Sequence, residues 1–393
     1  MKTPLPILLL TVSSAIAGPA FTARTVDDKI TVGYGLAIGD VDGDKKPDIL
    51  LADAKEIVWY KNPGWKKSVI SKNLTMRDNV CIAARDLDGD GKVEIAVGAQ
   101  WNPGETTNEA ESGAVFFLQR PDKPDGEWKP VKLPHEPTVH RMHWVQTGAP
   151  SFTLVVLPLH GRGNVNNAGA NGSRAIAYNF PDKPGDATAW KQTVIDDKMH
   201  VTHNFDVRAA AAGADELLIG GKEALLSSSP SGAGWESARL SLTEDGAGPA
   251  FGGAGEVRFG PNAGEARDTA CCIEPFHGPN LTLFSRDEKT RTWRRSVLDT
   301  TFNQGHALAC GNLLGLDREQ IIAGWREPNA AKQFGIKIYR EEAGAWKSDL
   351  VGEPNTMACE DLKLADLDGD GGLEIIVAGR STKNVVIYSL SKP

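Results

Sequence analysis

Beyond its first 17 residues, the 393-residue sequence has no apolar run of the roughly 18 residues that a membrane helix needs, so no membrane span is expected. It has no block of lysine and arginine, and its formal net charge is −8. Phosphate contacts need clustered cations, so no nucleic-acid partner is expected. Long amphipathic helical stretches, a serine-nucleophile motif, a P-loop and a GxGxxG fingerprint are also missing. The 42 glycines and 23 prolines instead favour many short strands and turns.

Cysteine is scarce and its number is odd. With five cysteines, at least one stays unpaired unless it bonds another chain. Cys271 and Cys272 are neighbours and poorly placed to bond each other. The spacing of the five assigns no disulfide pair.

The N-terminus reads as an export signal rather than as part of a fold. Lys2 precedes the apolar run "LPILLLTVSSAIA", and Ala15 and Ala17 form an A-x-A-like cleavage site before Gly18. A buried N-terminal helix is the alternative, but polar residues follow the run directly. We therefore expect a signal peptide over 1–17, a secreted or periplasmic protein, and a mature chain over 18–393.

Three stretches repeat one pattern of strand, acidic turn and aliphatic strand: "LAIGDVDGDKKPDILLA" (36–52), "IAARDLDGDGKVEIAVG" (82–98) and "LKLADLDGDGGLEIIVAG" (362–379). Weaker copies lie at 307–325 and 204–221. A second marker, tryptophan followed by polar and aliphatic residues, recurs in phase at 65–70, 128–133, 190–195, 235–240, 293–298 and 346–351. A near-match, "FTARTV" (21–26), stands at the mature N-terminus with no strands before it.

This arrangement predicts an all-β fold, a seven-bladed β-propeller of four-stranded antiparallel blades. The tryptophan segments would be the outermost strands, and the N-terminal strand would complete the last blade. Inner strands are expected near residues 36, 82, 143, 205, 273, 307 and 361, in a single domain over 18–393. A β-sandwich with coincidental repeats is the alternative, but it does not explain the unit split between the two ends.

The acidic turns place carboxylates at alternate positions of a tight loop, a pattern typical of Ca²⁺ sites. Solvated hairpin turns without an ion are the alternative. The candidate ligands for Ca²⁺, or Mg²⁺, are Asp40, Asp42, Asp44 and Asp48; Asp86, Asp88, Asp90 and Glu94; and Asp366, Asp368, Asp370 and Glu374. The first loop has Lys45 where the others have glycine, so the second and third loops are the favoured ion sites.

Histidines gather at the opposite rim of the predicted propeller, where outer strands lead into inner strands and second strands into third strands. Seven of the eight histidines fall in these segments, and only His135 does not. Neutral imidazoles with carboxylates can hold Zn²⁺, and they also act as general acids and bases near neutral pH. The candidates for a zinc site at this rim are His140, His143, His200, His203, His277 and Glu360.

Other rim residues have the chemistry of catalysis and substrate binding. A base beside an oxyanion stabiliser is what proton abstraction next to a carbonyl requires, and Arg and Lys suit the oxyanion. The candidate catalytic residues are His143, His203, Glu274, His277 and His306. The candidate substrate-binding residues are Tyr34, His160, Arg162, Lys222, Arg326 and Arg380.

The acidic repeats resemble the FG-GAP/VCBS repeats of integrin-like propellers. A narrower resemblance covers nearly the whole mature chain: "VWYKNPGW", "HRMHW", "LPLHGRG", "THNF", "IEPFHG", "GHALACGNLLG" and "ACEDLKLADLDGDGGLEIIVAGRSTKNVVIY" together look like the propeller domain of aldos-2-ulose dehydratase, also called 1,5-anhydro-D-fructose dehydratase. The resemblance implies metal-assisted elimination from a keto-sugar, with zinc in the pocket. The fungal enzyme carries cupin domains after its propeller, and this sequence stops at residue 393.

Three functions follow from these patterns. The favoured one is an exported lyase or dehydratase that removes water, or a glycosidic oxygen, from a small keto-sugar or glycoside, as a monomer or homodimer. The second is a non-catalytic binding or adhesion propeller, which explains the acidic turns but not the gathered histidines. The third is a polysaccharide lyase acting on a uronic-acid polymer, for which a cationic cleft is suited.

Overall fold

The computed structural model describes residues 18–122, 126–166, 168–209, 213–232, 234–244, 250–264, 266 and 268–391. The predicted signal peptide, residues 1–17, lies outside the described residues. Within them the chain forms seven β-sheets and one 3₁₀ turn at Ala187–Ala189. A search of the described helices finds none long and apolar enough to cross a membrane. The predicted all-β, seven-bladed propeller is confirmed.

Each sheet is a blade whose strands follow one another from the centre outward. Blades 1 to 3 are β2 (Gly35–Gly39), β3 (Asp48–Ala52), β4 (Glu56–Lys61) and β5 (Lys66–Lys72); β6 (Cys81–Arg85), β7 (Glu94–Ala99), β8 (Ala114–Gln119) and β9 (Lys129–Leu133); and β10 (Val139–Gly148), β11 (Ser151–Pro158), β12 (Ala175–Asn179) and β13 (Lys191–Asp196). Blade 4 is β14 (Thr202–Ala209), β15 (Asp215–Gly221), β16 (Leu225–Ser231) and β17 (Gly234–Arg239).

Blades 5 to 7 complete the ring. Blade 5 is β19 (Val257–Phe259), β20 (Thr269–Glu274), β21 (Asn280–Arg286) and β22 (Trp293–Asp299), with an added edge strand β18 (Leu242–Glu244). Blade 6 is β23 (Gly305–Gly311), β24 (Gln320–Trp325), β25 (Gly335–Glu342) and β26 (Ala345–Leu350). Blade 7 is β27 (Cys359–Ala365), β28 (Glu374–Gly379), β29 (Asn384–Leu390) and, from the other end of the chain, β1 (Phe21–Asp27).

The two ends of the chain close the ring, as predicted. Strand β1 pairs antiparallel with β29, and the register runs from Phe21 opposite Leu390 to Asp27 opposite Val385. Backbone hydrogen bonds thus tie the first strand to the last blade. The closed ring leaves no blade without a neighbour on either face.

Burial explains why the second strand of each blade is so apolar. All five residues of β3 and all six of β28 are buried, because the neighbouring blades cover both faces. The outer strand β5 is instead mostly exposed, with Val69 and Lys66 in solvent. Apolar clusters therefore fill the spaces between adjacent blades, and the inner strands face the central channel.

Blade 5 departs from the prediction in two ways. Its innermost strand is the three-residue β19, whereas the expected inner strand near residue 273 is the second strand, β20. The short strand β19 lies within the glycine-rich stretch 252–260, which has no clear strand pattern. The longer apolar run of β20 matches the pattern of an inner strand better. The blade also carries a fifth strand, β18. It pairs parallel with β22, the strand that contains the tryptophan segment, and forms the outer edge of the sheet.

Candidate functional site

The three acidic turns each gather carboxylates around one point. Ligand oxygens of Asp40, Asp42 and Asp48 lie within 4.8 Å of one another, as do those of Asp86, Asp88 and Asp90, and those of Asp366, Asp368 and Glu374. The remaining predicted ligands of these turns are Asp44, Glu94 and Asp370. Hard oxygen ligands at this spacing are the kind that Ca²⁺ and Mg²⁺ prefer.

The backbone of the turns preorganises these carboxylates. In the second turn Asp86 accepts hydrogen bonds from the N–H groups of Gly89 and Gly91, and both glycines have positive φ. In the first turn Lys45 occupies the place of Gly91 and is held at φ 66°, a left-handed conformation that is unfavourable for a side-chain-bearing residue. The second turn therefore has the less strained backbone.

A lysine from the end of β4 lies beside the first turn. The Lys61 ammonium contacts Asp42, and it lies 3.0 Å from Asp44 Oδ2. An ammonium at this position neutralises part of the charge that would otherwise attract a divalent ion. Lys61 and Lys45 are thus two physical reasons why the first turn is a weaker candidate for ion binding than the other two.

Burial raises the pKa of the carboxyl group that closes each of the first two turns. Burial and the charges of neighbouring aspartates together raise the pKa of Asp48 to about 6 and that of Glu94 to about 7. Both carboxyls accept a backbone hydrogen bond, from Val41 and Leu87. A cation in the turn would oppose these shifts, because it favours the ionised form.

At the opposite end of the blades, three histidines from three blades meet. His203 is the second residue of β14, His277 follows β20, and His306 is the second residue of β23. One ring nitrogen from each lies within 4.8 Å of the others, and Nε2 of His203 is 2.7 Å from Nε2 of His277. We call His203, His277 and His306 the rim cluster.

Register shifts near the start of four inner strands determine where the rim side chains point. The pairing register shifts at His140 in β10, at His203 and Asn204 in β14, at His306 in β23 and at Glu360 in β27. Such a shift leaves a residue out of the ladder and re-aims its side chain. The same device at the start of four inner strands thus directs these side chains toward one another.

Hydrogen bonds to carbonyl groups determine which imidazole nitrogen carries the proton. His306 Nδ1 lies 2.6 Å from the Glu360 carbonyl, and His140 Nδ1 lies 2.8 Å from the His203 carbonyl. A carbonyl can only accept, so Nδ1 donates in both residues and Nε2 keeps its lone pair. Both Nε2 atoms are therefore available to a proton or a metal ion.

A buried carboxylate, Glu256, stands behind His203. His203 Nδ1 and Glu256 Oε1 are 3.6 Å apart, and each is buried without a hydrogen-bond partner among the described residues. Glu256 Oε2 is held by Asn204 at 2.5 Å and by Arg258 at 3.3 Å. A small approach would let His203 donate to Glu256, which would leave Nε2 unprotonated, the arrangement common behind metal-ligating histidines.

A second carboxylate, Glu360, is clamped beside the cluster. Arg326 donates to its Oε2 at 2.6 Å and Arg380 to its Oε1 at 2.7 Å, while His306 Nε2 is 4.0 Å from Oε1. The Arg380 guanidinium also lies over the Tyr34 ring, 5.4 Å from its centroid. Tyr34, Arg380, Glu360 and His306 thus form a continuous polar row.

The electrostatics keep the rim imidazoles neutral. Burial, together with the charges of Arg326, Arg141 and Arg380, lowers the pKa of His277 to about 3. Burial likewise holds the pKa values of His203 and His306 well below their usual range. Neutral imidazoles are the form that binds metal ions.

The rim cluster fits a zinc ion by donor type. Three imidazoles with one open position form a familiar catalytic zinc set, and the Glu360 carbonyl that accepts from His306 Nδ1 supplies one expected outer hydrogen bond. His203 Nδ1 and Glu256 Oε1 lack hydrogen-bond partners among the described residues. A small rotation of the His203 ring on cation binding would let Nδ1 donate to Glu256. Of the predicted zinc candidates, His203 and His277 are in the cluster, and His306 joins them.

The other predicted residues lie outside the rim cluster. His143 is further along β10 in the central channel, edge-on to Phe205. Glu274 is turned toward Arg295, whose Nη2 donates to it at 2.5 Å, and both side chains are buried. His140 is adjacent instead, with its ring centroid 4.6 Å from that of His203.

The remaining candidates sit at the rim but pair elsewhere. His200 Nδ1 is 2.8 Å from Glu223 Oε1, and Arg162 pairs with Glu109 and Glu136. His160 is half-buried and bridges to Val201 through its backbone. Lys222 is exposed in the loop between β15 and β16. His200 and Arg162 thus pair with carboxylates outside the rim cluster.

Sequence reasoning missed Glu256, Arg141 and Trp101. Trp101 stacks on His140 with ring centroids 5.0 Å apart, and Arg141 Nη2 is 3.7 Å from Glu256 Oε1. Glu256 directly precedes the inner strand β19, as the other rim residues precede or begin theirs. Recognition of β19 in the sequence would therefore have identified Glu256 as a rim residue. Trp101 follows β7, in a second-to-third-strand loop of the kind that predicted the other rim residues.

The fold and the two kinds of site together define a β-propeller with acidic turns at one end of its blades and a histidine-lined rim at the other. Residues 40–97 match the FG-GAP-like repeat model and residues 82–118 the FG-GAP repeat model. Residues 112–287 match the family model of the aldos-2-ulose dehydratase β-propeller domain. The resemblance drawn from the sequence is thereby confirmed.

Among characterised proteins, the chain is 20% identical to aldos-2-ulose dehydratase of Phanerodontia chrysosporium over 348 residues. The match covers 82% of this chain but only 37% of that enzyme's length. Solved propellers share the fold at lower identity. A chain of the mitotic checkpoint complex has TM-score 0.57, 9% identity and coverage of 100% and 98%. The Cps50 (Swd1) propeller of Myceliophteria thermophila has TM-score 0.54, 10% identity and coverage of 94% and 100%.

Proposed function

We propose that this chain is an exported carbohydrate-active lyase that eliminates water, or a glycosidic oxygen, from a keto-sugar such as 1,5-anhydro-D-fructose. The observation that supports the proposal most strongly is the rim cluster beside the arginine-clamped Glu360. An adhesion surface has no evident need for three neutral imidazoles at one point, two of them, His203 and His306, buried. The distant likeness to the aldos-2-ulose dehydratase propeller points to the same chemistry.

His203, His277 and His306 would hold a zinc ion, with Ca²⁺ or Mg²⁺ in the acidic turns. Zinc at this position would supply a Lewis acid for a sugar carbonyl. Arg326 and Arg380 contribute fixed positive charge next to the cluster. Such charge stabilises an oxyanion as it develops, because the arginines are already oriented by Glu360.

In this proposal His140 is the base, replacing the predicted His143. It lies beside His203, and its Nδ1 donates to a carbonyl, so its Nε2 can accept the proton next to the sugar carbonyl. Burial holds the pKa of His140 well below its usual range, so the imidazole is unprotonated before reaction.

The departing hydroxyl needs a proton or a strong hydrogen bond, and in this proposal Tyr34 supplies it. Its hydroxyl donates to Asp78 at 3.2 Å, and burial and the Asp78 charge raise its pKa to about 12. Tyr34 therefore holds its proton at neutral pH. Glu274, the acid expected from the sequence, is engaged with Arg295 instead.

Incubation of the purified protein with 1,5-anhydro-D-fructose, followed by ultraviolet absorbance of an enone, tests the proposal. We expect enone formation by the wild type, a loss of at least about 100-fold in His140→Gln, since a general base contributes 10²–10⁴-fold, and near-normal rates in His200→Gln. His200 is a matched control at the same rim, paired with Glu223. Absence of an enone from this substrate and from 3-keto-glycosides would contradict the proposal, and cleavage of a uronan instead would indicate a polysaccharide lyase.

A further inference from the structure

Two cysteines from neighbouring blades lie close together away from the rim cluster. Cys271 is on β20 of blade 5 and Cys310 is on β23 of blade 6, and their Sγ atoms are 3.3 Å apart. We propose that Cys271 and Cys310 form a disulfide that joins blade 5 to blade 6 when the chain folds in the presence of a disulfide oxidant. This inference does not depend on the proposed function.

The two sulfur atoms already approach each other across the blade interface. A disulfide bond is about 2.05 Å long, so the atoms must close by roughly 1.3 Å in total. Small side-chain rotations in the apolar cluster that both residues share, with Ile273 and Ala323, can supply that movement. The bond would link residues separated by 39 positions in the chain.

The pairing is specific to Cys271 because strand geometry directs the neighbouring thiol, that of Cys272, away from Cys310. Successive side chains of a strand point to opposite faces. Cys272 accordingly packs in a different cluster, with Val257 and Phe284, and its Sγ donates to Glu274 Oε1 at 3.1 Å.

The other two cysteines belong to different blade interfaces. Cys81 begins β6 and packs with Met142, while Cys359 begins β27 and packs with Met357. Neither shares the cluster that contains Cys271 and Cys310. The structure thus selects one pair where the spacing of five cysteines selected none.

Bond formation follows ordinary thiol–disulfide exchange. Cys310, which is partly exposed, loses its proton and attacks the oxidant disulfide to form a mixed disulfide. The Cys271 thiolate then attacks the Cys310 sulfur and displaces the second oxidant sulfur, so two protons and two electrons pass from the cysteines to the oxidant, which becomes two thiols. Burial raises the pKa of the Cys310 thiol, so exchange in the finished fold is slow and the bond closes as the blades assemble.

The test is refolding of the full chain from denaturant in a buffer of oxidised and reduced glutathione. Refolded protein is alkylated in denaturant and digested with trypsin without reduction. We expect three alkylated cysteines, the five of the chain minus two, and one link between peptides 268–286 and 296–318. Five alkylated cysteines in chains with native circular dichroism would overturn the proposal.

Variants identify the cysteine within peptide 268–286, which contains both Cys271 and Cys272. The link should persist in Cys272→Ser and in the control Cys359→Ser, and should disappear in Cys271→Ser. A link that persists in Cys271→Ser would assign the bond to Cys272 and refute the pairing. If a variant fails to refold, fragmentation of the linked wild-type peptides between Cys271 and Cys272 decides the same question.

Discussion

Replacing Glu274 by glutamine should destabilise the fold, because the residue is half of a buried ion pair. Glu274 and Arg295 are each at most 2% exposed, and Arg295 donates to Glu274 Oε2 through Nε at 3.0 Å and through Nη2 at 2.5 Å. Cys272 Sγ adds a third contact at 3.1 Å. Glutamine keeps the shape but removes the carboxylate charge from this buried ion pair, and breaking a buried ion pair typically costs about 3–5 kcal/mol.

Urea unfolding followed by tryptophan fluorescence measures this loss as a change in the free energy of unfolding. The control is Glu341→Gln. Its partner Arg318 is 2.8 Å away but both side chains are about one-third exposed, so the expected loss is only about 0.2–1 kcal/mol. If Glu274→Gln unfolds like the wild type yet loses elimination activity, our reasoning is wrong, and Glu274 is the acid that the sequence predicts.

Three further changes test the metal sites and the channel. His306→Ala should lower zinc affinity by at least about 100-fold, measured by competition with a chelating dye, whereas His200→Ala should leave it unchanged. Saturating Ca²⁺ should raise the melting temperature, as any ligand of the native state does. Asp88→Asn should reduce that rise more than Asp42→Asn, since Asp42 already contacts Lys61; equal effects would contradict this ranking. Burial lowers the pKa of His143 to about 3, so its contribution to stability is present above pH 6.5 and is lost as the pH falls toward 3. His143→Gln should flatten the acid-side slope of unfolding free energy by up to one proton, and an unchanged slope would exclude His143 as its source.

The sequence predicted the blade count and the closure because both depend on patterns that recur along the chain. The acidic turns and tryptophan segments mark blade after blade, and "FTARTV" supplied the missing strand of blade 7. Blade 5 was misassigned because β19 has only three residues and no marker beside it. A strand that short carries almost no periodic signal.

The rim was predicted as a region but not as a set of contacts. His140 and His143 are three positions apart in one motif, yet His140 lies against His203 while His143 lies in the channel against Phe205. Register shifts at the start of β10 and β14 separate their directions, and such shifts leave no mark in residue spacing. Glu274 illustrates the same limit, because its partner Arg295 lies on another strand, 21 positions away.

By itself, the sequence determined the all-β class, the ring of seven blades and its closure. These properties follow from hydrophobic period and loop order, which are local and repeated. Only the tertiary structure decided that His203, His277 and His306 meet, that Glu256 and Glu360 stand behind them, and that Cys271 approaches Cys310. Each of these contacts joins different blades, so each depends on how strands are rotated and packed against one another in three dimensions.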